Sequence, residues 1–487
     1  MFLIPRYNNA PPLPFDVLQE IAQYCDKSTL EAYCSASHHL REAIAPCLFK
    51  ASKIRFGVSV ARRITEDVSD THNYQAWASK LTEQFEQLSA SRYAKYIRTL
   101  SYTGVTSFSR YPEGCNLDDE GIRRWQAAHH KVTWPVLTRT LGRFAQLKEL
   151  SLSYVEIDDR FVIVLGTLHN LQDLTLDSVI FSCSMDLAMH HNVRPSRDIT
   201  YWPIFDPDGL DSKNADIRAM FFAGACSKIK SLQIEVYGKD AMQDELYRIL
   251  STCPLTEELS VVVMEDGSEK TAMADRPTAG LDPAALPMLW SYYGPDFYTP
   301  AIIKGRPVHK IHLYPSPSDL DETNITDWFK DTFSGTTVPV KSFSVKRFPD
   351  MLVDDLLRVI PTTLPSLEEL VVDVAGSFDD EELDCLVDDL STGVCAIPAS
   401  LKSLSLQWNY EDADITYQEL LEGVQKILAM PEKLKNLESL NIGLVVPEPF
   451  YIRQVVREFL VCERSKEEPR EWTIKPQFVN ERCRDDS

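Results

Sequence analysis

One pattern recurs through most of this chain: apolar-x-x-apolar-x-apolar. It appears as Ile97-x-x-Leu100-x-Tyr102, Leu147-x-x-Leu150-x-Leu152, Leu171-x-x-Leu174-x-Leu176 and Ile229-x-x-Leu232-x-Ile234. A weaker copy, Thr256-x-x-Leu259-x-Val261, follows. Then come copies centred on Ile311, Phe343, Leu370, Leu404 and Leu440. Most steps between central residues fall in the range of one short structural repeat, and three are close to double, so each long step holds a degenerate repeat or an insertion. Leu286-Pro-Met-Leu289 is the candidate degenerate copy in the step from Leu259 to Ile311. Alternating apolar residues make a short strand with one face buried. The stretches between copies are helical in spacing: Leu352, Leu356 and Ile360 share one side, and 382–390 and 417–428 behave alike. A strand–helix unit of this size cannot bury its apolar face alone, so neighbours must stack. The expected fold is α/β, an irregular solenoid with parallel strands inside and helices outside. A doubly wound sheet would show longer apolar strands and a glycine-rich ligand turn, and neither is present.

At 487 residues, with 50 basic and 72 acidic side chains, the net charge is −22. That balance disfavours nucleic acid and anionic membrane surfaces as partners. The opening Met1-Phe2-Leu3-Ile4-Pro5-Arg6 lacks the pattern of a signal peptide, and no apolar run is long enough to span a bilayer. Eleven scattered cysteines fit reduced thiols, so the expected compartment is cytoplasmic or nuclear.

Residues 13–49 read as three short helices. Pro14 suits a first helical turn, and Val17, Leu18 and Ile21 follow on one face. Ser28 with Glu31 has the capping-box spacing, and Leu30 and Cys34 continue the apolar face. Ser37 caps a third helix carrying Leu40 and Ile44, which Pro46 is expected to end. So short a segment must pack on a neighbouring domain or on a partner.

The set Leu13-Pro14, Val17-Leu18-x-x-Ile21, Leu30, Ser37-x-x-Leu40-Arg41 and Leu48-Phe49 resembles the F-box. Ala36 and Leu40 depart from it, standing where a valine and a larger aromatic are common. The resemblance implies docking on the Skp-type adaptor and cullin scaffold of an SCF ubiquitin ligase, through Leu13, Pro14, Val17, Leu18, Ile21, Leu30 and Leu40. The repeats that follow resemble leucine-rich repeats, and the layout is similar to the fungal F-box/leucine-rich-repeat families. The usual Asn or Cys after the strand is absent, with Val155 and Val179 in that place. The expected organisation is a tail at 1–12, the F-box at 13–50, a helical linker at 51–96 and the solenoid at 97–487. Within the linker, Trp77, Leu81, Phe85 and Leu88 form one stripe.

Insertions are expected near 181–228 and 264–307, rich in aromatic residues such as Trp202, Phe205, Trp290, Tyr292 and Tyr293. They read either as plugs over the solenoid or as a partner-binding lip. On the strand face, Lys310, His312, Tyr314, Lys346 and Arg347 form a basic island between acidic strands, a candidate client-binding site for an acidic or phosphorylated segment. No phosphate-loop, dinucleotide, nucleophile-elbow or zinc-protease motif is present, so no cofactor, metal site or catalytic residue is expected. The histidine pairs, 190–191 among them, read as surface residues. The expected role is a non-catalytic substrate receptor. The alternative is a protein-binding scaffold with the N-terminal motif as a cap.

Overall fold

In the computed structural model, residues 13–51, 53–57, 72–104, 131, 133–203, 215–237, 241–264, 281–314, 325–349, 353–375, 380–409, 417–430, 432, 434–445, 454–464 and 472–482 are described. They divide into two compact units, Met1–Lys230 and Ser231–Ser487.

The first unit opens with helices α1 (Phe15–Ala22), α2 (Lys27–Ala36) and α3 (His38–Ala51). Their core is Leu18, Ala22, Leu30, Ala43 and Ile44, with Cys25, Cys34, Leu40, Cys47 and Leu48 packed around it. The cap of α2 is Asp26 rather than Ser28: its carboxylate accepts from the Thr29 amide at 2.7 Å and from the Ser28 hydroxyl at 2.9 Å. These bonds hold the carboxyl below its ordinary range. Ser37 does cap α3, accepting from the Leu40 amide at 3.1 Å. Pro46 does not end that helix, which runs to Ala51. Its last turn is held from outside by Phe49, stacked on Tyr93 at 5.3 Å.

The linker is not all helix. Residues Lys53–Gly57 form strand β1, paired in parallel with β2 (Thr99–Thr103). A five-residue strand leaves too short a sequence period to separate from a helical one, and its pairing partner lies beyond α4 (His72–Ala90). In α4, Leu81 and Phe85 are buried, and the Phe85 ring meets Phe144 edge to face at 5.7 Å. The side chain of Trp77 lies outside the described residues. The sheet continues with β3 (Glu149–Ser153), β5 (Asp173–Phe181) and β6 (Asp198–Pro203), all parallel, while β4 (Glu156–Ile157) pairs β5. Leu100, Leu150, Leu174 and Ile199 share one register row. β2 pairs β3 directly, so the long step between them is an insertion. The step from Leu174 to Leu232 instead hides a repeat, because β6 adds a strand whose Ile199 takes the central place. Val155 and Val179 are buried, each reached through a left-handed residue, Tyr154 and Ser178. Helices α5 (Trp134–Thr140), α6 (Asp159–Leu165), α7 (Met185–His190) and α8 (Ala215–Ala225) connect the strands.

In the second unit the strands β7 (Ser231–Tyr237), β8 (Glu258–Met264), β9 (Ser291–Gly294), β10 (Lys310–Leu313), β11 (Ser342–Pro349), β12 (Glu369–Ala375), β13 (Ser403–Asn409) and β14 (Ser439–Val445) are paired in parallel in that order. One row runs Leu232, Leu259, Tyr292, Ile311, Phe343, Leu370, Leu404, Leu440, each buried. The helices between them are α9 (Ala241–Leu250), α10 (Thr299–Ile303), α11 (Ile325–Phe333), α12 (Val353–Thr363), α13 (Asp380–Thr392) and α14 (Tyr417–Leu428). They cover the buried face; Phe329 and Phe333 of α11 sit 5.7 and 5.4 Å from the Phe343 ring. The parallel array ends in an antiparallel hairpin, β15 (Gln454–Arg464) and β16 (Trp472–Arg482), with Pro476, which offers no backbone donor, in the outer strand. Each unit is a parallel strand–helix array, the α/β repeat organisation that the periodicity implies.

Candidate functional sites: an N-terminal apolar surface and a strand-face platform

Helix α1 carries apolar residues on two faces. Leu18 and Ala22, four apart, point into the three-helix core. Leu13, Phe15, Val17, Ile21 and Tyr24 point away from it and are 52, 45, 39, 43 and 84% exposed. The sequence places Val17, Leu18 and Ile21 on one face; the structure separates Leu18 from the other two. Leu18 and Leu30 are therefore corrected from contact residues to core residues: both are buried and supply the leucine side chains around which Ala22, Ala43 and Ile44 pack. Leu40 is half-buried against that core. Pro14 is exposed and stands one position before the helix, its carbonyl accepting from the Leu18 amide at 3.1 Å.

Phe15, Tyr24 and the half-exposed Tyr33 belong to the exposed set and were not singled out from sequence. Their signal is aromatic residues at positions of α1, α2 and the turn between them that the core spacing does not use. The segment is tied within itself and to the chain that follows it. Phe15 meets the His39 ring edge to face at 4.7 Å, and the Arg41 guanidinium donates to the Cys34 carbonyl at 2.9 Å. Glu42 of α3 accepts from Arg92 and from the Tyr93 hydroxyl.

The second site lies on the strand face opposite the helices, over β9, β10 and β11. Tyr293 and His312 are register partners, and their rings stack at 4.5 Å with planes 17° apart. Tyr314 follows on the same face as His312, with the Lys346 ammonium 5.7 Å from its ring centre. Lys310 is exposed at the start of β10. Burial, with Lys346 and Lys310 on either side, pushes the His312 imidazole down to about 4, so it is neutral at physiological pH. The basic island read from sequence thus has two cations in His312's neighbourhood and an uncharged ring between them. The Arg347 side chain lies outside the described residues.

Tyr292 is corrected: it takes the central core position of β9, fully buried, with its hydroxyl donating to the Pro295 carbonyl at 3.2 Å. It faces the helix-covered side of the sheet, away from Tyr293 and His312. A tyrosine where the other repeats have an aliphatic residue or Phe disguised the strand. Trp290 stands at the turn before β9, partly exposed beside the exposed Met288. The described parts of both insertions belong to the repeat array. His191 is likewise not a surface group: it is buried, with one ring nitrogen 2.8 Å from the Phe221 carbonyl and the other accepting from the Val193 amide at 3.1 Å.

The neutral His312 has a measurable consequence. Its ordinary value is 6.5, which the unfolded chain adopts, and its folded value is near 4. Below pH 6.5 the unfolded state takes up a proton that the folded state resists, so folding stability is lost as pH falls from 6.5 toward 4. The variant His312→Asn is expected to show a shallower fall in urea midpoint between pH 7 and pH 4.5. Parallel curves for the two proteins would contradict the buried, cation-flanked state.

Among the described residues, Asp354, Asp389 and Cys395 place one ligand atom each within 4.8 Å of one another. Cys395 donates to the Asp354 carbonyl at 3.3 Å and closes the end of α13, a structural use of the thiol. No helix of the described residues is long and apolar enough to cross a membrane.

No family model and no curated protein matches the chain. Among solved structures it is similar to a chain of the crystal structure of the Rad7 and Elc1 complex in yeast, at 13% identity and a TM-score of 0.31, over 89% of this chain and 93% of that one.

Proposed function

We propose that this protein is the substrate-recognition subunit of an SCF-type, cullin-RING ubiquitin ligase. Its N-terminal three helices dock on a Skp-type adaptor, and its repeats hold a protein client. The observation that carries the reading is the double-faced α1: one face completes the segment's own core, and the other presents Phe15, Val17 and Ile21 uncovered, with the exposed Leu13 and Tyr24 at either end of the helix. An exposed apolar set of this density marks a surface that a partner covers. The ordered F-box-like residues in the same segment name the adaptor class. In this role the chain performs no bond chemistry; it raises the local concentration of a client beside the ubiquitin-loaded enzyme. Such an assembly works in the cytoplasm or nucleus.

The variant Leu13→Asp/Ile21→Asp is expected to abolish capture of a purified Skp-type adaptor while leaving the melting temperature within about 2 °C of the parent, since surface changes stay within about 0.5 kcal/mol. Adaptor capture that survives the double variant would point to the scaffold reading, in which the segment is only a cap.

A further inference from the structure

We infer that the strand face over β9–β11 binds an extended acidic segment of the client with an aromatic residue at its centre, lying along β10 with one carboxylate at Lys310 and another at Lys346. The inference rests on the receptor reading only for the occupant's source, a client protein; the chemistry comes from the surface itself.

In a chain with 22 more acidic than basic residues, several cations beside the strands are already engaged by acids. Lys341 and Lys402 both hold Glu368, at 3.0 and 2.6 Å, and Arg197 is paired with Asp173. Lys310 and Lys346, among the described residues, have no carboxylate partner. Both act on His312, and Lys346 rests over Tyr314. Two ammonium groups left unpaired beside three aromatic rings make a surface that is incomplete without anions.

The layout fixes the direction of the occupant. Lys310, His312 and Tyr314 succeed each other on one face of a single strand, and Tyr293 widens the ring surface from the neighbouring strand. Four residues of extended chain separate Lys310 from Tyr314, about 13 Å. The acids Glu258 on β8 and Glu369 and Asp373 on β12 flank this strip on either side. They repel an acidic chain laid across the sheet and leave the axis of β10 open to one laid along it. The matching segment is extended, with acidic residues four apart and a flat ring midway, over Tyr293 and His312. The stacked pair supplies a neutral aromatic surface there, and among the described residues the Nε2 atom of His312 has no hydrogen-bond partner of its own.

A display library of random unphosphorylated 12-residue peptides, selected on the full chain, tests this without any adaptor. The expected outcome is enrichment of acid-x-aromatic-x-acid sequences. A synthetic peptide from that set, followed by fluorescence anisotropy, should bind Lys310→Glu/Lys346→Glu at least tenfold more weakly than the parent. Lys330→Glu, an exposed reversal on α11, should bind like the parent. Circular dichroism melts of all three proteins check folding. Enriched sequences without acidic residues, no enrichment, or equal binding to the double reversal each overturn the proposal. So does recovery only after kinase treatment of the library, which would make phosphate the ligand. None of these outcomes touches adaptor capture, so failure here and failure of the receptor reading stay distinct.

Discussion

Replacing Arg306 by methionine is expected to lower the stability of the second unit by about 3 kcal/mol or more, since each buried carbonyl left without a donor costs about 1–3 kcal/mol. Arg306 is completely buried and has no carboxylate within hydrogen-bonding distance among the described residues. Its guanidinium donates instead to five backbone carbonyls: Asp282 at 2.7 Å, Ala285 at 2.8 Å, Ala301 at 3.2 Å, Ile302 at 2.6 Å and Lys304 at 2.9 Å. Three of these lie at the end of α10, where helix carbonyls have no partner within the helix. The other two belong to the turn before β9. One side chain therefore ties the two ends of the segment that sequence alone reads as an insertion. Methionine fills much of the same space but leaves the carbonyls without donors. Lysine should not rescue: a single ammonium has three donors at one point and cannot reach carbonyls spread around a planar fork. Urea unfolding of Arg306→Met and Arg306→Lys measures both effects. A lysine variant with the parent's midpoint would show that charge, rather than the fork of donors, holds the segment.

The parallel strand–helix repeat was legible because its signal is redundant. Ten copies of one pattern carry the register, and a single ambiguous copy does not disturb the others. The N-terminal helices were legible as helices, but the face of each residue was not. Leu18 and Ile21 are three apart in sequence, close enough to share a helical face, and only the packing of α2 and α3 shows that one is core and one is surface. Hidden features have physical reasons as well. β1 is five residues long and pairs with a strand more than forty residues away, so no local period announces it. The burial of Arg306 has no sequence signal, because its carbonyl partners are gathered from two separate turns. The candidate client face was half legible. Alternation placed Lys310, His312 and Tyr314 on one side of β10, but the neutrality of His312 and the burial of Tyr292 depend on neighbours from other repeats.

The variant Gly294→Val is expected to destabilise the second unit by about 1–3 kcal/mol, and Tyr292→Leu in the same chain should recover a large part of the loss. In β9 the buried pair of the repeat pattern is Tyr292 and Gly294, where β10 has Ile311 and Leu313. The tyrosine ring reaches into the space that the second apolar residue fills elsewhere. A Cβ on Gly294 would stand 2.3 Å from the Tyr292 hydroxyl oxygen and 2.7 Å from the ring carbon that bears it, far inside contact distance. The glycine is thus required by its neighbour's volume and not by its backbone. Shortening Tyr292 to leucine vacates that space and loses one hydroxyl, whose acceptor, the Pro295 carbonyl, still receives the Thr299 hydroxyl at 2.9 Å. The double variant restores the ordinary apolar-x-apolar pattern with a similar total volume, so its cost should fall well short of the two single costs added together. Urea midpoints for the parent, both single variants and the double give the coupling directly. Strict additivity would mean that Tyr292 does not occupy the place of the missing side chain, and that β9 owes its strand to other contacts.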